Sequence, residues 1–357
     1  MYKVAQNIRQ AETLPTEFYR DSAGFKETTD RLISNSWQFL GDDDIFKGDD
    51  NAVPLDLMTG IIDEPIVVIR EGKEISCFSN VCTHRGNLLI TEAGKYGRLV
   101  CNYHGRKFDL NGQFEFMPEF EAAEDFPRPC ENLTQIPLAT WNQFLFVSLN
   151  HSFDFDLIAK ALNERVGFLP IQEFKLDSNH GQTYQVNAHW ALYCDNFLEG
   201  FHIPFVHPEL NQSVEFNSYE TVLYEYCNVQ IGYCKDGVEA FDLPEGHPDY
   251  GKQVAAYYYW IFPNLMLNFY PWGLSINVIE PIDAEHTQVR FISYVHDATK
   301  IDSSAGALLD EVEMQDEEVV QNVQKGIKSR FYNTGRFSPT REQGVHHFHS
   351  LISKFLE

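Results

Sequence analysis

The sequence reads as an α+β protein on three observations. Its 357 residues correspond to about two domains, more than a single small module needs. Short β-type runs with hairpin turns fill the stretch from about Trp37 to Leu149, and further strand patterns follow residue 180. A long helical pattern then runs from about Ser304 to Tyr332, so strands are grouped before the helix and do not alternate with it.

Taken in order, the chain opens with a stretch expected to be helical to about residue 40, because Leu14-Pro15-Thr16 precedes polar residues spaced around Phe18, Phe25 and Leu32. Residues 1–36 are set apart as an N-terminal helical segment packing on the C-terminal domain. Residues 37–150 form a compact antiparallel β domain containing the runs Ile66 to Ile69, Ile75 to Phe78 and Phe144 to Val147, with Glu71-Gly72 and Asn111-Gly112 as hairpin-turn pairs. Residues 151–357 form the second domain, with strands expected at Thr183 to Val186, Thr221 to Ile231, Ala255 to Phe262, Leu274 to Ile279 and Gln288 to His296. Pro263, Asn264, Asn268 and Pro271 interrupt the most apolar stretch, Val254 to Leu274, so no transmembrane helix is expected there.

Composition narrows the function classes. A chain that is 43% hydrophobic and 22% charged is ordinary for a globular protein. Its net charge of −25 disfavours attraction to nucleic acid or anionic membranes. Met1 to Phe18 contains no continuous apolar run for export, which points to the cytoplasm. Seven cysteines are an odd number without the density of a disulfide scaffold, so metal ligation is the more useful reading for some of them.

Cys82-Thr83-His84 and Cys101-Asn102-Tyr103-His104 form two Cys-His pairs, each followed by a glycine, Gly86 or Gly105. Two such loops can grip one metal centre. Zinc, or a coincidence of core residues, is the alternative. A Cys-x-His half is unusual for zinc but suits a [2Fe-2S] cluster with Cys82 and Cys101 on one iron and His84 and His104 on the other.

A second donor set follows. In Asp195 to His207, Pro204 is expected to end a helix that carries Glu199 and His202 at i, i+3, with His207 just beyond. Two imidazoles and one carboxylate make the facial triad of an oxygen-activating non-haem Fe(II) site. At about 100° per residue, Leu309, Val312, Val319, Val320, Val323 and Ile327 form one apolar stripe of the late helix, with Asp316 near its centre. An inward carboxylate needs a compensating charge, which iron supplies. Glu313 sits at the stripe's edge as the reserve ligand, whereas Asp310, Glu311, Glu317 and Glu318 are expected to point away.

Val81-Cys82-Thr83-His84-Arg85-Gly86 and Cys101-Asn102-Tyr103-His104-Gly105 closely resemble the two boxes of Rieske proteins. No extra cysteine follows either box, so the type resembles oxygenases or soluble ferredoxins. Arg106 departs from the tryptophan usual there in oxygenases. From about Trp37 to Leu356 the chain resembles the α subunits of Rieske non-haem iron oxygenases, and within them the choline monooxygenase branch of quaternary-ammonium oxygenases. That likeness rests on Asp195 to His207, Phe262-Pro263-Asn264, Gly335-Arg336-Phe337-Ser338 and Gly344-Val345-His346-His347-Phe348-His349. The three closing histidines are read as structural.

The resemblance implies a Rieske [2Fe-2S] domain inserted before a helix-grip catalytic domain with a central antiparallel sheet and long helices, assembled head to tail as a homotrimer. His202, His207 and Asp316 would hold mononuclear Fe(II), and Glu199 would bridge His202 to the cluster ligand His104 of a neighbouring subunit. Electrons would come from an NAD(P)H-dependent flavin/iron-sulfur reductase or a ferredoxin, and O2 would hydroxylate a small cationic substrate such as choline, a betaine or carnitine. Tyr257 to Trp260, Phe262, Phe269, Tyr270 and Trp272 offer material for an aromatic cage. An oxygenase acting on an aromatic ring or on another N-methyl compound would share every iron ligand. A pure electron carrier would need the first donor set alone.

Overall fold

The computed structural model describes residues 2–208, 215–235, 237–301, 304 and 309–357. The chain divides into two compact units, Ser34–Ser152, and Met1–Ile33 together with Phe153–Glu357.

The first unit is an assembly of short antiparallel strands: β1 (Gln38–Asp42), β2 (Ala52–Leu57), β3 (Glu64–Glu71), β4 (Glu74–Ser79), β5 (Leu99–Val100), β6 (Lys107–Phe108), β7 (Phe114–Phe116), β8 (Gln135–Ile136), β9 (Leu138–Trp141) and β10 (Phe144–Val147). They pair in the orders β1-β10-β9, β2-β3-β4-β8 and β5-β6-β7. Ile66 to Ile69 are consecutive and all fully buried because both faces of β3 are covered. Val67 and Ile69 join a core with Phe78, Leu89, Cys82 and Cys101, whereas Ile66 and Val68 join another with Leu57, Cys77 and Leu145. The first of these cores delivers the two box cysteines. Gly112 turns the chain from β6 to β7 at φ +74°, and a Cβ there would meet the Phe78 ring at 2.8 Å.

The second unit is built on seven antiparallel strands: β11 (Lys175–Val186), β12 (Glu220–Leu223), β13 (Cys227–Tyr233), β14 (Val254–Ile261), β15 (Leu265–Tyr270), β16 (Gly273–Asp283) and β17 (His286–Val295), in the order β11-β17-β16-β15-β14-β13-β12. Helices Trp190–Phe197, Leu309–Gly326 and Gln343–Leu356 belong to the same unit, the first packing on the other two and on β16. The α+β expectation therefore holds. No helix among the described residues is long and apolar enough to cross a membrane.

Several local expectations change. The described residues 2–15 form no helix; two short ones, Thr16–Arg20 and Phe25–Ser34, follow, and Gln38–Asp42 is a strand. Pro15 starts the first helix as its N-cap, and the backbone on either side of it is spent on the far end of the chain: Thr13 N donates to Gly335 O at 3.0 Å and Thr16 N to Asn333 O at 2.9 Å. His349 also holds this segment, accepting from Leu14 N at 3.0 Å through Nδ1 and bonding Asp195 at 2.8 Å through Nε2. The single strand expected over Thr221 to Ile231 is the hairpin β12–β13, closed where Tyr224 N donates to Cys227 O. Strand β15 and helices Asp156–Val166 and Gln343–Leu356 were not anticipated. The late helix, expected over about Ser304 to Tyr332, is described from Leu309 and already ends at Gly326; Ser304 is a bend, residues 305–308 lie outside the described residues, and Val323 of its stripe is 42% exposed.

Candidate metal centres

The two Cys-His boxes fold into the same turn twice. Cys82 N donates to Asn87 O and Gly86 N to Cys82 O; Cys101 N donates to Arg106 O and Gly105 N to Cys101 O, all at 2.8 to 3.0 Å. Gly86 and Gly105 take φ of +71° and +75°, which the closing residue of each turn requires and a side chain would resist. The repeated turn places Cys82 and Cys101, each 2% exposed, against each other and the His84 and His104 rings 4.8 Å apart.

Electrostatics around the sulfurs is asymmetric. Burial raises the Cys82 thiol, which donates to Cys101. Burial also works against a Cys101 thiolate, yet the backbone amides of Tyr103 and His104, with Cys82 and Asn87, outweigh it and bring its pKa below the ordinary value. Desolvation, then His104, lowers His84 and favours its neutral, ligand form. His104 Nδ1 is shielded with no hydrogen-bond partner among the described residues, as a nitrogen kept for a metal would be. Two sulfurs and two imidazoles fit a Rieske [2Fe-2S] cluster.

Arg106 is 1% exposed and lies behind this site. Its Nη2 donates to Glu131 Oε2 at 2.7 Å, and its guanidinium sits 4.8 Å from the Phe114 ring centroid and 5.7 Å from that of Phe126. A planar cation among aromatic rings fills the space of a large aromatic residue, and Glu131 balances its charge.

The second donor set assembles His202, His207 and Asp316, whose ligand atoms all lie within 4.8 Å of one another. Asp316 Oδ1 is 2.9 Å from His207 Nε2 and 3.5 Å from His202 Nε2. Both imidazoles are oriented from behind. His202 Nδ1 bonds Glu199 Oε1 at 2.7 Å, and His207 Nδ1 bonds Gln315 Oε1 at 2.7 Å. Acceptors at both Nδ1 atoms leave the Nε2 lone pairs for a metal, the arrangement that fixes tautomer and ring direction in histidine-ligated sites. Burial disfavours a charged His207, but Asp316 and Gln315 outweigh it and raise its pKa. A two-histidine, one-carboxylate set suits a mononuclear non-haem iron.

Local structure departs from expectation here. Pro204 does not end a helix; it lies in the first turn of the short helix Ile203–Val206, where its missing N–H costs nothing. His202 and His207 cap that helix at its two ends, and Glu199 lies in the link after Phe197. The Glu199 carboxylate also accepts from the Phe201 and His202 amides, closing the link around itself.

Sequence reasoning missed the supports. Tyr193 and Asn196, three apart on one helix, face Glu313 and Asp316, three apart on another: the Tyr193 hydroxyl donates to both Glu313 oxygens at 2.6 and 2.8 Å, and Asn196 Nδ2 to Asp316 Oδ1 at 3.0 Å. Glu313, placed at the edge of the stripe by periodicity, is only 5% exposed and lines the cavity beside Asp316. Glu317 is not turned fully to solvent, since its Oε1 is shielded and burial raises its pKa, whereas Glu318 is exposed. The side chains of Asp310 and Glu311 lie outside the described residues. Gly344 was noticed only within a motif; a Cβ there would run into the Leu198 carbonyl, just before Glu199.

A cavity opens onto the His-His-Asp set. Of the expected cage residues, Tyr258 and Tyr270 line it, joined by Tyr219 and Phe291. Tyr257, Tyr259, Trp260, Phe262, Phe269 and Trp272 do not. Tyr257 and Tyr259 point to the other face of β14 and bond Asp249 and Ala161 O, and Trp260 bonds Pro263 O.

Residues 174–357 match the family described as ring hydroxylating alpha subunit (catalytic domain), and residues 37–129 match the Rieske [2Fe-2S] domain. The chain is 28% identical to the chloroplastic choline monooxygenase of Arabidopsis thaliana, over 97% of this chain and 83% of that protein. It is 27% identical to the carnitine monooxygenase oxygenase subunit of Escherichia coli (strain K12), over 98% and 95%. In fold it is similar to a quaternary ammonium Rieske monooxygenase in complex with L-carnitine (23% identity, TM-score 0.73, 98% and 97% covered) and to naphthalene 1,2-dioxygenase (18%, 0.69, 99% and 94%). With both families matched in tandem and both donor sets assembled, the chain belongs to the Rieske ring-hydroxylating oxygenase α subunits, O2-using non-haem iron oxidoreductases, and is related to the choline and carnitine monooxygenases.

Proposed function

We propose that this protein is the oxygenase component that hydroxylates a quaternary ammonium compound such as choline, a betaine or carnitine, using O2 and electrons from an NAD(P)H-dependent reductase or ferredoxin. The observation that carries this reading is the cavity itself, where Tyr258, Tyr270 and Glu313 stand beside the His202, His207 and Asp316 donors. A trimethylammonium head donates no hydrogen bond and is held by aromatic faces and negative charge. The full-length likeness to choline and carnitine monooxygenases supports the same substrate class.

Cys82, His84, Cys101 and His104 would hold the cluster, and His202, His207 and Asp316 the iron. Bound there, the two groups supply single electrons and O2 activation, for a net reaction in which R–H, O2, two electrons and two protons give R–OH and water. The chain's own residues do the positioning. Glu199 and Gln315 hold the two imidazoles through Nδ1, and Asn196 holds Asp316. Glu199 keeps a lone pair on Oε1, and in a homotrimer it would accept from His104 of a neighbouring copy and join the two centres.

Oxygen uptake by the reconstituted, reduced protein against choline, glycine betaine, L-carnitine and aromatic acids tests this. Uptake with stoichiometric product from a quaternary ammonium compound is the expected result. Turnover of aromatic acids alone would replace the reading with ring hydroxylation, and no uptake stimulated by any substrate would leave an electron carrier.

A further inference from the structure

A buried cation stands beside the cluster ligands. Arg106 follows His104 by two residues, its backbone carbonyl accepts from Cys101 N at 2.8 Å, and it is 1% exposed. A guanidinium keeps its charge at that depth, where water screens it little. Its place is fixed next to the first box. Arg106 Nη2 donates to Glu131 O at 3.2 Å, and Thr83 Oγ1, between Cys82 and His84 in sequence, donates to the same oxygen at 2.8 Å. Arg106, Thr83 and His84 line one cavity together with Phe120, whose ring lies 5.6 Å from that of His84.

The partner carboxylate does not cancel this charge at the ligands. Glu131 is divided between two cations, its Oε2 meeting Arg106 Nη2 at 2.7 Å and its Oε1 meeting Arg128 Nη2 at 3.0 Å. Glu124 and Asp125 also line the cavity, but both are exposed, so water and salt screen them. Burial raises the Cys82 thiol pKa, and Arg106 pulls against it. At His84, desolvation, His104 and Arg85 lead the downward shift, Arg106 adds to it, and Glu131 opposes it more weakly.

Reducing the cluster adds one negative charge among Cys82, His84, Cys101 and His104, and a nearby cation in a poorly screened setting stabilises that charge. The chain as a whole works the other way, with a net charge of −25. We infer that Arg106 raises the reduction potential of the Rieske cluster through its buried charge, and that Glu131 sets how much of that charge the cluster feels. Arg106 supplies no ligand; it tunes how readily the cluster accepts an electron. The inference rests on those four residues as the ligands and is independent of which substrate the iron site takes.

Reductive titration of the cluster-loaded protein, followed by Rieske absorption and EPR at one pH, tests it. At a fixed poise, Arg106→Gln should shift the oxidised-to-reduced ratio about tenfold toward oxidised, a potential lower by about 59 mV. Glu131 keeps Arg128 as a partner in that variant. Arg106→Lys retains the charge and should stay within about threefold of wild type. Glu131→Gln removes the opposing charge and should shift the ratio at least about threefold toward reduced. An Arg106→Gln cluster that titrates with wild type overturns the inference. So does an Arg106→Lys shift as large as that of Arg106→Gln, because lost packing and not lost charge would then be the cause. Should Arg106→Gln fail to hold its cluster, Glu131→Gln decides, and an unchanged or lower potential there overturns the inference. A wild-type chain without a Rieske signal would remove the cluster ligands and this inference together, whereas a loaded cluster indifferent to these charges removes the inference alone.

Discussion

His207 Nε2 lies 2.9 Å from Asp316 Oδ1, across 109 residues of sequence, while His207 Nδ1 is held by Gln315, the residue beside that same aspartate. One helical turn thus supplies both a donor beside the imidazole and the acceptor behind it. Asp316→Ala should lower retention of the mononuclear iron by more than about tenfold. Glu317→Ala, which removes a partly shielded carboxylate away from the histidines, should leave it bound. Iron per chain after gel filtration, with the Rieske absorption as internal standard, makes the comparison; equal losses in both variants would refute the assignment.

Glu199 contacts His202 and two backbone amides but belongs to neither donor set. Glu199→Gln should leave both centres loaded and the cluster reducible, and slow turnover at least about tenfold with little change in substrate affinity. Mixed trimers test its bridging role. His104→Ala and His202→Ala homotrimers should be inactive, with the cluster's EPR signal intact in the latter. Co-assembled, they should regain partial activity, and its absence would place electron transfer within one chain.

Gly344 lets the Gln343–Leu356 helix approach the Leu198 carbonyl, immediately ahead of the link carrying Glu199 and His202. Gly344→Ala forces a backbone shift there and should cost about 1 to 3 kcal/mol of stability. Weakened iron binding should accompany the lower unfolding midpoint, and a variant with wild-type values for both would show that the close approach is dispensable.

The Arg106–Glu131 pair gives a pH signature. The bond from Arg106, aided by Arg128 and opposed by burial, holds the Glu131 carboxyl below its ordinary value of 4.5. A depressed carboxylate stabilises the fold fully above that ordinary value and loses its contribution as pH falls through the lower, folded one. Glu131→Gln leaves Arg106 buried without its counter-charge and should cost about 3 kcal/mol near neutral pH. The gap between wild type and variant in denaturant unfolding should narrow from about pH 5 downward. A gap independent of pH would exclude the ionic contribution.

The cluster loops were legible in the sequence because each is a local object. Cys82 to Asn87 and Cys101 to Arg106 close on themselves through backbone bonds and a left-handed glycine, so residue order alone sets which cysteine and histidine share a turn. Asp316 was legible through helical periodicity, since a stripe fixes direction once a helix exists. Pro204 misled because proline is compatible with a helix start as well as a stop, and only the flanking chain chooses between them.

What tertiary structure decided is which faces meet. Strands β13 to β15 are buried almost throughout, so hydrophobic alternation does not reveal which face of β14 carries Tyr258 to the cavity and which carries Tyr257 and Tyr259 away from it. The rungs Tyr193–Glu313 and Asn196–Asp316 each span 120 residues, and they exist because two helices pack with matching i, i+3 rows. Residue identity by itself determined two donor sets and the local turns that present them. The direction of each imidazole, the depth of Glu313 and the need for glycine at 344 depend on the partner that packing brings up, which no local pattern encodes.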